Sequence, residues 1–290
     1  MRIAIASGKG GTGKTTVATN LAVVLNDMGY NVTYADCDVE EPNGHLFLTP
    51  DPENRTEVSV MVPVVSDAGC SLCGICAEVC EFNALAVLGT KVLPFPSLCH
   101  SCGACITLCP EGALDEGTRL VGFIRTGESR GLSFVGGCLS VGEAQAPPMI
   151  RAIKRRLPDD RIVVLDAPPG TSCPVVEAVR DSDYVILVTE PTPFGLNDLR
   201  LAVGMLRELE CAFGVVINRC DIGDSLVREY CERENVRILL ELPFERRIAE
   251  AYAAGRLGVD ESAEYREKIE RLYQSIEQEL TDVRACRSQR

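Results

Sequence analysis

The chain has 290 residues, enough for one large α/β domain and a small second unit. Its formal net charge of −13 argues against broad binding to nucleic acid or to an anionic membrane, since both need basic faces. Its 15 cysteines exceed casual usage; they suggest disulfides in a secreted chain and metal in a cytoplasmic nucleotide-binding one.

The first apolar run, Ile3-Ala4-Ile5-Ala6, reads as a strand with no charged-then-apolar leader before it. No apolar run approaches the length of a membrane span, so the expectation is a cytoplasmic protein. The run leads into Gly8-Lys9-Gly10-Gly11-Thr12-Gly13-Lys14-Thr15-Thr16, and a helical pattern follows from Val17 to Met28. Strand, glycine-rich loop and helix form the context of a phosphate-binding loop. The glycines let backbone N–H groups converge on phosphate oxygens, and the helix turns its positive end to the same anion. Lys14 would reach the terminal phosphates and the Thr15 hydroxyl would ligate Mg²⁺. The bland alternative is a glycine-rich turn with an incidental lysine.

Gly29 reads as a helix C-cap, and Asn31 to Ala35 reads as a second strand ending at Asp36-Cys37-Asp38. Glu40-Glu41-Pro42-Asn43 and Pro50-Asp51-Pro52-Glu53-Asn54 read as loops, before an apolar, β-branched stretch from Val58 to Val65. The character then changes. Cys70, Cys73, Cys76 and Cys80 are spaced C-x2-C-x2-C-x3-C, and Cys99, Cys102, Cys105 and Cys109 repeat that spacing 29 residues later, followed by Pro110. This is the spacing of a bacterial two-cluster ferredoxin, in which the fourth cysteine of each run ligates the other 4Fe–4S cluster. Cluster one would take Cys70, Cys73, Cys76 and Cys109; cluster two would take Cys99, Cys102, Cys105 and Cys80. Gly74 and Gly103 permit close backbone approach to the sulfurs. A pair of zinc sites is the alternative, but zinc usually takes two C-x2-C pairs, not two runs of four. The first run departs from the pattern, since Glu81 stands where proline follows the second.

Beyond Thr118, Val121 to Ile124 and Leu132 to Val135 read as short strands, and Pro148 to Leu157 as a helix. Ile162-Val163-Val164-Leu165-Asp166 is an apolar run ending in an acid, as in a fully buried parallel strand whose carboxyl end meets a ligand. Strand Tyr184–Thr189, helix Leu196–Leu209, strand Phe213–Asn218, helix Ser225–Glu234 and strand Val236–Leu242 then alternate. Such alternation implies a parallel sheet covered on both faces. A last helix, about Ser262 to Val283, places Ile269, Leu272, Tyr273, Ile276, Leu280 and Val283 on one face. Its mixed charges favour packing onto its own domain over membrane targeting.

The phosphate loop carries a lysine at its start, giving Lys-Gly-Gly-Thr-Gly-Lys-Thr, and resembles the deviant loop of the MinD, ParA and Mrp ATPases and the nitrogenase iron protein. The resemblance extends through Asp36-Cys37-Asp38-Val39-Glu40-Glu41-Pro42-Asn43, Asp166-Ala167-Pro168-Pro169-Gly170-Thr171 and Thr189-Glu190-Pro191-Thr192-Pro193-Phe194-Gly195, covering nearly all of residues 1–255. With the eight cysteines, the chain looks like a MinD-superfamily ATPase carrying an inserted ferredoxin domain. The resemblance implies a P-loop α/β fold divided into 1–62, the insert 63–117, and 118–290. It implies ATP with Mg²⁺ as ligand and a nucleotide-dependent homodimer in which Lys9 reaches the partner's nucleotide. Asp166 would hold Mg²⁺ through water, Gly170 would sense the γ-phosphate, and Asp38 would orient the attacking water. Asp36 is a second candidate near the metal; for both acids a strand-end turn with Asx-type bonds is the alternative. Asn218 would contact the base, and Pro243-Phe244 would close around it.

The offsets of Cys138 and Cys173 from Asp166 resemble those of the two nitrogenase-iron-protein cysteines that bridge a cluster across the dimer. Against this, free cysteine is one of the commonest buried residues, and the flanks of Cys138 look more like the Mrp group, which lacks that arrangement. Cys37, Cys211, Cys220, Cys231 and Cys286 have no metal spacing. The functional expectation is an ATPase coupled to electron transfer through two clusters, with an unidentified redox or cluster-client partner. The alternatives are an assembly or carrier protein for iron–sulfur or related cofactors and, third, a positioning ATPase.

Overall fold

The computed structural model describes residues 1–287, the side chains of Pro52 and residues 282–287 excepted; Val283 and Cys286 thus lie outside the described side chains. The strands are β1 (Arg2–Ser7), β2 (Val32–Asp36), β3 (Asp51–Val65), β4 (Leu85–Leu88), β5 (Lys91–Pro94), β6 (Leu114–Ser129), β7 (Leu132–Leu139), β8 (Ile162–Pro169), β9 (Tyr184–Thr189), β10 (Phe213–Asn218) and β11 (Ile238–Leu242). The helices are α1 (Lys14–Asp27), α2 (Gly44–Leu48), α3 (Ile75–Glu78), α4 (Ala104–Thr107), α5 (Ala146–Lys154), α6 (Cys173–Val179), α7 (Pro193–Glu208), α8 (Leu226–Arg233), α9 (Arg246–Ala253), α10 (Gly258–Glu261) and α11 (Ala263–Arg287). None among the described residues is long and apolar enough to cross a membrane.

A 9-stranded sheet in the order β11-β10-β9-β1-β8-β2-β7-β6-β3 organises the molecule. From β11 to β7 every pairing is parallel, while β6 runs antiparallel to both β7 and β3. The central strands bury both faces, which explains their unbroken apolar runs. One face packs against α5, α6, α7 and α8, with Met149, Ile150, Val175, Leu199 and Val227 in its core. The other packs against α1 and the α9–α11 segment, where Leu21, Leu25, Ile269, Leu272 and Ile276 meet Ile3, Ile5 and Val164. The apolar stripe expected on the last helix is therefore spent on its own domain, with Leu280 packed at its edge. This is the α/β P-loop fold with a mainly parallel sheet.

The sheet edge departs from the sequence reading. Residues 51–54, read as a loop, begin β3, and the short strand expected at 121–124 is the middle of β6. The two strands pair along nearly their whole length, from Asp51↔Glu128 to Val65↔Leu114. Proline at 52 suggested a loop because it cannot donate to a ladder, but β3 lies at the edge, where a missing donor is tolerated. At the far end of this ribbon, residues 66–113 form a small unit with the β4–β5 hairpin, whose apolar cluster of Cys76, Leu85, Val92 and Cys105 is joined by Leu114 of β6.

Candidate functional site

The glycine loop joins β1 to α1 at the centre of the sheet. Gly11 and Gly13 have φ of +80° and +92°, a backbone that side chains rarely adopt. A Cβ on Gly13 would lie 2.4 Å from Asn218 Nδ2, and one on Gly8 2.4 Å from the Asp198 carbonyl oxygen of α7. Gly10 meets no such neighbour. The loop is thus braced from two sides. Asn218, at the end of β10, donates from Nδ2 to the Thr12 carbonyl at 2.8 Å, and its Oδ1 accepts from Arg219 N at 3.0 Å. The Thr12 hydroxyl is buried with no partner among the described residues, as expected of a group that awaits a ligand. Thr15 is buried and Thr16 half-buried at the start of α1.

Three carboxylates gather where β2 ends against β8, with Asp36 in register with Asp166. Lys14, also buried, sends Nζ to Asp166 Oδ1 at 2.6 Å and stands 3.7 Å from Asp38 Oδ2. Burial works against the Lys14 charge, but Asp166, then Asp38 and Asp36, outweigh it and hold the ammonium above its ordinary value. The other oxygen of Asp166 accepts from the Tyr34 hydroxyl at 2.9 Å. Asp36 accepts from Gly44 N at 2.9 Å and from Asp38 N at 3.2 Å, the second being the Asx-type bond weighed for it. Burial and then the Asp166 charge push Asp36 up; burial pushes Asp38 up to about 6. The cluster carries more carboxylates than one lysine balances. Gly170, with φ of +98°, donates its N–H to the Ser7 carbonyl at 2.8 Å, which fastens the loop after β8 to the phosphate loop.

Beside the loop opens a cleft of about 320 Å³, lined by Gly11, Gly13, Thr16, Asn218, Pro243 and Phe244 among others. Phe244 is 43% exposed, its backbone N–H donates to Asp221 Oδ1 at 2.6 Å, and the Arg219 guanidinium lies 5.8 Å from its ring centre. Sequence reasoning passed over Tyr34 and Glu190. Glu190 stands 3.9 Å from Lys9 Nζ and 3.1 Å from Arg219 Nη1, so it holds Lys9 at the surface of the loop. A tyrosine inside an apolar strand gives no signal of its own; the cue for Glu190 was an acid at the end of a buried strand.

The cysteine unit repeats in conformation as well as in sequence. Leu72 and Ser101 both have φ of +58°, Gly74 and Gly103 follow at +83° and +74°, and α3 and α4 begin directly after them. Ala84 N donates to Cys80 Sγ and Ala113 N to Cys109 Sγ, each at 3.3 Å, and Ser101 N donates to Cys99 Sγ at 3.4 Å. One cavity is lined by Cys70, Cys73, Cys76 and Cys109, and a second by Cys80, Cys99, Cys102 and Cys105. All eight are free thiols, and burial pushes Cys76 and Cys105 up. No group of three or more His, Cys, Asp or Glu among the described residues sits closely enough to hold a single metal ion. Four thiols around each cavity, with N–H groups aimed at sulfur, suit a multinuclear thiolate-bound cluster. Of the remaining pair, Cys138 is half-buried on β7 and Cys173 is exposed at the first residue of α6.

The profile of the CobQ/CobB/MinD/ParA nucleotide binding domain matches residues 3–259. The chain belongs to this family. Among its relatives, an uncharacterized protein of Methanocaldococcus jannaschii is 29% identical over 280 residues, covering 96% of this chain and 97% of its own length. The iron-sulfur cluster carrier protein of Pyrococcus horikoshii is 25% identical over 280 residues, covering 88% and 77%. In fold, the chain is similar to the cell division ATPase MinD of Pyrococcus furiosus, with a TM-score of 0.59, 21% identity and coverage of 96% and 98%.

Proposed function

We propose that this member of the nucleotide-binding family is a Mg²⁺-dependent ATPase that couples nucleotide state to electron transfer through two 4Fe–4S clusters in residues 63–117. The observation that carries the reading is the sorting of eight cysteines around two cavities, each drawing its fourth thiol from the other run. When bound, the clusters supply one-electron chemistry. The chain's own residues do the rest. Cys70, Cys73, Cys76 and Cys109 hold cluster one; Cys80, Cys99, Cys102 and Cys105 hold cluster two. Backbone N–H groups at Ala84, Ser101 and Ala113 stabilise the thiolates.

In the nucleotide site Lys14 exchanges partners. Its Asp166 contact gives way to the terminal phosphates, which frees Asp166 to hold the Mg²⁺ shell together with Thr15. Asp38 positions the attacking water, while Gly10, Gly11, Thr12, Gly13 and Thr16 wrap the phosphates and the Gly170 N–H leaves the Ser7 carbonyl to sense the last of them. Phosphoryl transfer needs such positioning and charge neutralisation more than covalent help. Asn218, Pro243 and Phe244 border the cleft for the base. Lys9, whose ammonium meets only Glu190 among the described residues and is partly exposed, is available to a second copy of the chain in a nucleotide-dependent homodimer.

A second reading, assembly or carriage of iron–sulfur cofactors, draws support from the carrier relatives at 24–26% identity. A cluster bridged across the dimer by Cys138 and Cys173 would belong to that reading. Iron and acid-labile sulfide per chain, measured without oxygen in the parent and in a Cys138/Cys173 double-alanine variant, separates the two. About eight irons in both supports electron transfer; about ten falling to about eight supports the bridging cluster. Stoichiometric zinc with little iron overturns the cluster reading of residues 63–117.

A further inference from the structure

A groove of about 790 Å³ separates the cysteine unit from the nucleotide domain. Phe82 and His100 line this groove and also line the cavity of Cys80, Cys99, Cys102 and Cys105. Their rings stack with centroids 3.5 Å apart and planes 6° from parallel, so a single stacked pair divides the two spaces. No residue around the other cysteine cavity borders the groove.

The two walls on the nucleotide side are anchored differently. One, around Gln145 and Pro147, is tied to the cysteine unit and its stalk. Gln145 Nε2 donates to the Ser97 carbonyl at 3.4 Å, Gln145 N donates to Glu143 Oε1 at 2.9 Å, and Glu143 pairs with Arg119 of β6. The other wall is the outer side of α6, formed by Cys173, Pro174 and Glu177, with Arg180 just beyond its end. Among the described residues no hydrogen bond or ion pair joins α6 to the cysteine unit. Its polar ties run to α5 through long side chains, Arg151 with Glu177 at 3.0 Å and Lys154 with the Glu177 carbonyl at 2.9 Å. The first turn of α6 begins three residues after Gly170, whose N–H rests on Ser7 in the phosphate-loop strand. Any displacement of the Gly170 loop is therefore passed to that turn first.

We propose that this groove couples the nucleotide site to cluster two alone, one wall moving with the Gly170 loop and the other fixed to the cysteine unit, while cluster one is insulated. The inference rests on the cluster reading above and adds a direction to it. Cluster two faces the nucleotide machinery, and cluster one is the distal port for electrons. Packing and solvent access around the sulfurs set a cluster's potential, so a change of groove width is felt by the cluster behind it.

The test uses reconstituted full-length protein in redox titrations followed by electron paramagnetic resonance. The protein is nucleotide-free, with Mg·ADP, or with a non-hydrolysable ATP analogue. Cys102→Ala and Cys73→Ala, each lacking one cluster, assign the signals. The expected result is a tenfold or greater change in the reduction equilibrium of cluster two between nucleotide states, about 59 mV for a one-electron couple, with cluster one unchanged. Hydrogen exchange should change in residues 173–176 and 97–101 but not in 70–76. Gln145→Ala, which frees the fixed wall, should cut the shift at least threefold while leaving iron content and nucleotide affinity intact. Equal shifts in both clusters, a shift retained in Cys102→Ala, or eight irons with no shift despite bound nucleotide would each overturn the coupling. Protein that takes up no iron would instead refute the cluster reading, and the coupling with it.

Discussion

Tyr34→Phe isolates one hydrogen bond beneath the phosphate loop. The Tyr34 hydroxyl donates to Asp166 Oδ2 at 2.9 Å with both residues fully buried. Burial, then the charges of Asp166 and Asp36, hold the phenol well above its ordinary pKa, so it remains a donor throughout the usable pH range. The substitution keeps the ring and its stack on Phe134, at 5.8 Å and 21°. What is lost is a bond to a charged acceptor, typically about 1.5–3 kcal/mol, against about 0.5–1.5 kcal/mol for a neutral one. At roughly 2–4 °C per kcal/mol, the nucleotide-free protein should melt about 3–12 °C lower. In an Asp166→Asn background the same substitution should cost about half as much, because the acceptor is then neutral. Thermal unfolding followed by circular dichroism on the four proteins of this cycle gives both numbers. A Tyr34→Phe protein as stable as the parent, or one equally weakened in both backgrounds, would refute the claim that this hydroxyl steadies a charged Asp166.

Gly13→Ala forces a side chain onto φ of +92° and against Asn218 Nδ2 at 2.4 Å, so nucleotide binding by calorimetry should be lost while the far sheet edge stays folded. The crossed ligation proposed for the two clusters predicts non-additive iron losses. Cys70→Ala with Cys109→Ala should retain about four of eight irons, whereas Cys70→Ala with Cys80→Ala should retain almost none. Mg·ADP at about 100 times its dissociation constant should stabilise the protein by about 2.7 kcal/mol, and removing magnesium with a chelator should abolish most of that gain. Lys9→Ala should leave nucleotide binding to the monomer within a few-fold but suppress ATP-dependent dimers in sedimentation, since Lys9 contributes no hydrogen bond to the loop from its side chain.

The centre of the fold was legible because its chemistry is local in sequence. A glycine loop between an apolar strand and a helix can do little else, and Ile162–Asp166 reads as a buried strand from its apolar run alone. The sheet edge was not legible. Asp51 to Glu57 is polar and contains a proline, and only its partner β6, far along the chain, makes it a strand. The same limit hid Tyr34, whose hydroxyl finds Asp166 across two neighbouring strands. Asp36 ends β2 beside Asp166, but its two oxygens are taken by Gly44 and Asp38 backbone groups, which only the fold of the 37–44 turn determines.

The ribbon of β3 and β6 carries a consequence for how such a molecule arises. At its tip Ser66 N donates to the Ala113 carbonyl at 2.8 Å, and Val65 faces Leu114 directly. The chain therefore leaves and re-enters through one hydrogen-bonded gate, the geometry of an ordinary hairpin turn. Exchanging that turn for a larger module leaves every sheet pairing in place, and the closure cost grows only with the logarithm of the added length. A small module can thus be gained, traded or discarded at this tip over evolutionary time without rebuilding the nucleotide-binding domain beneath it.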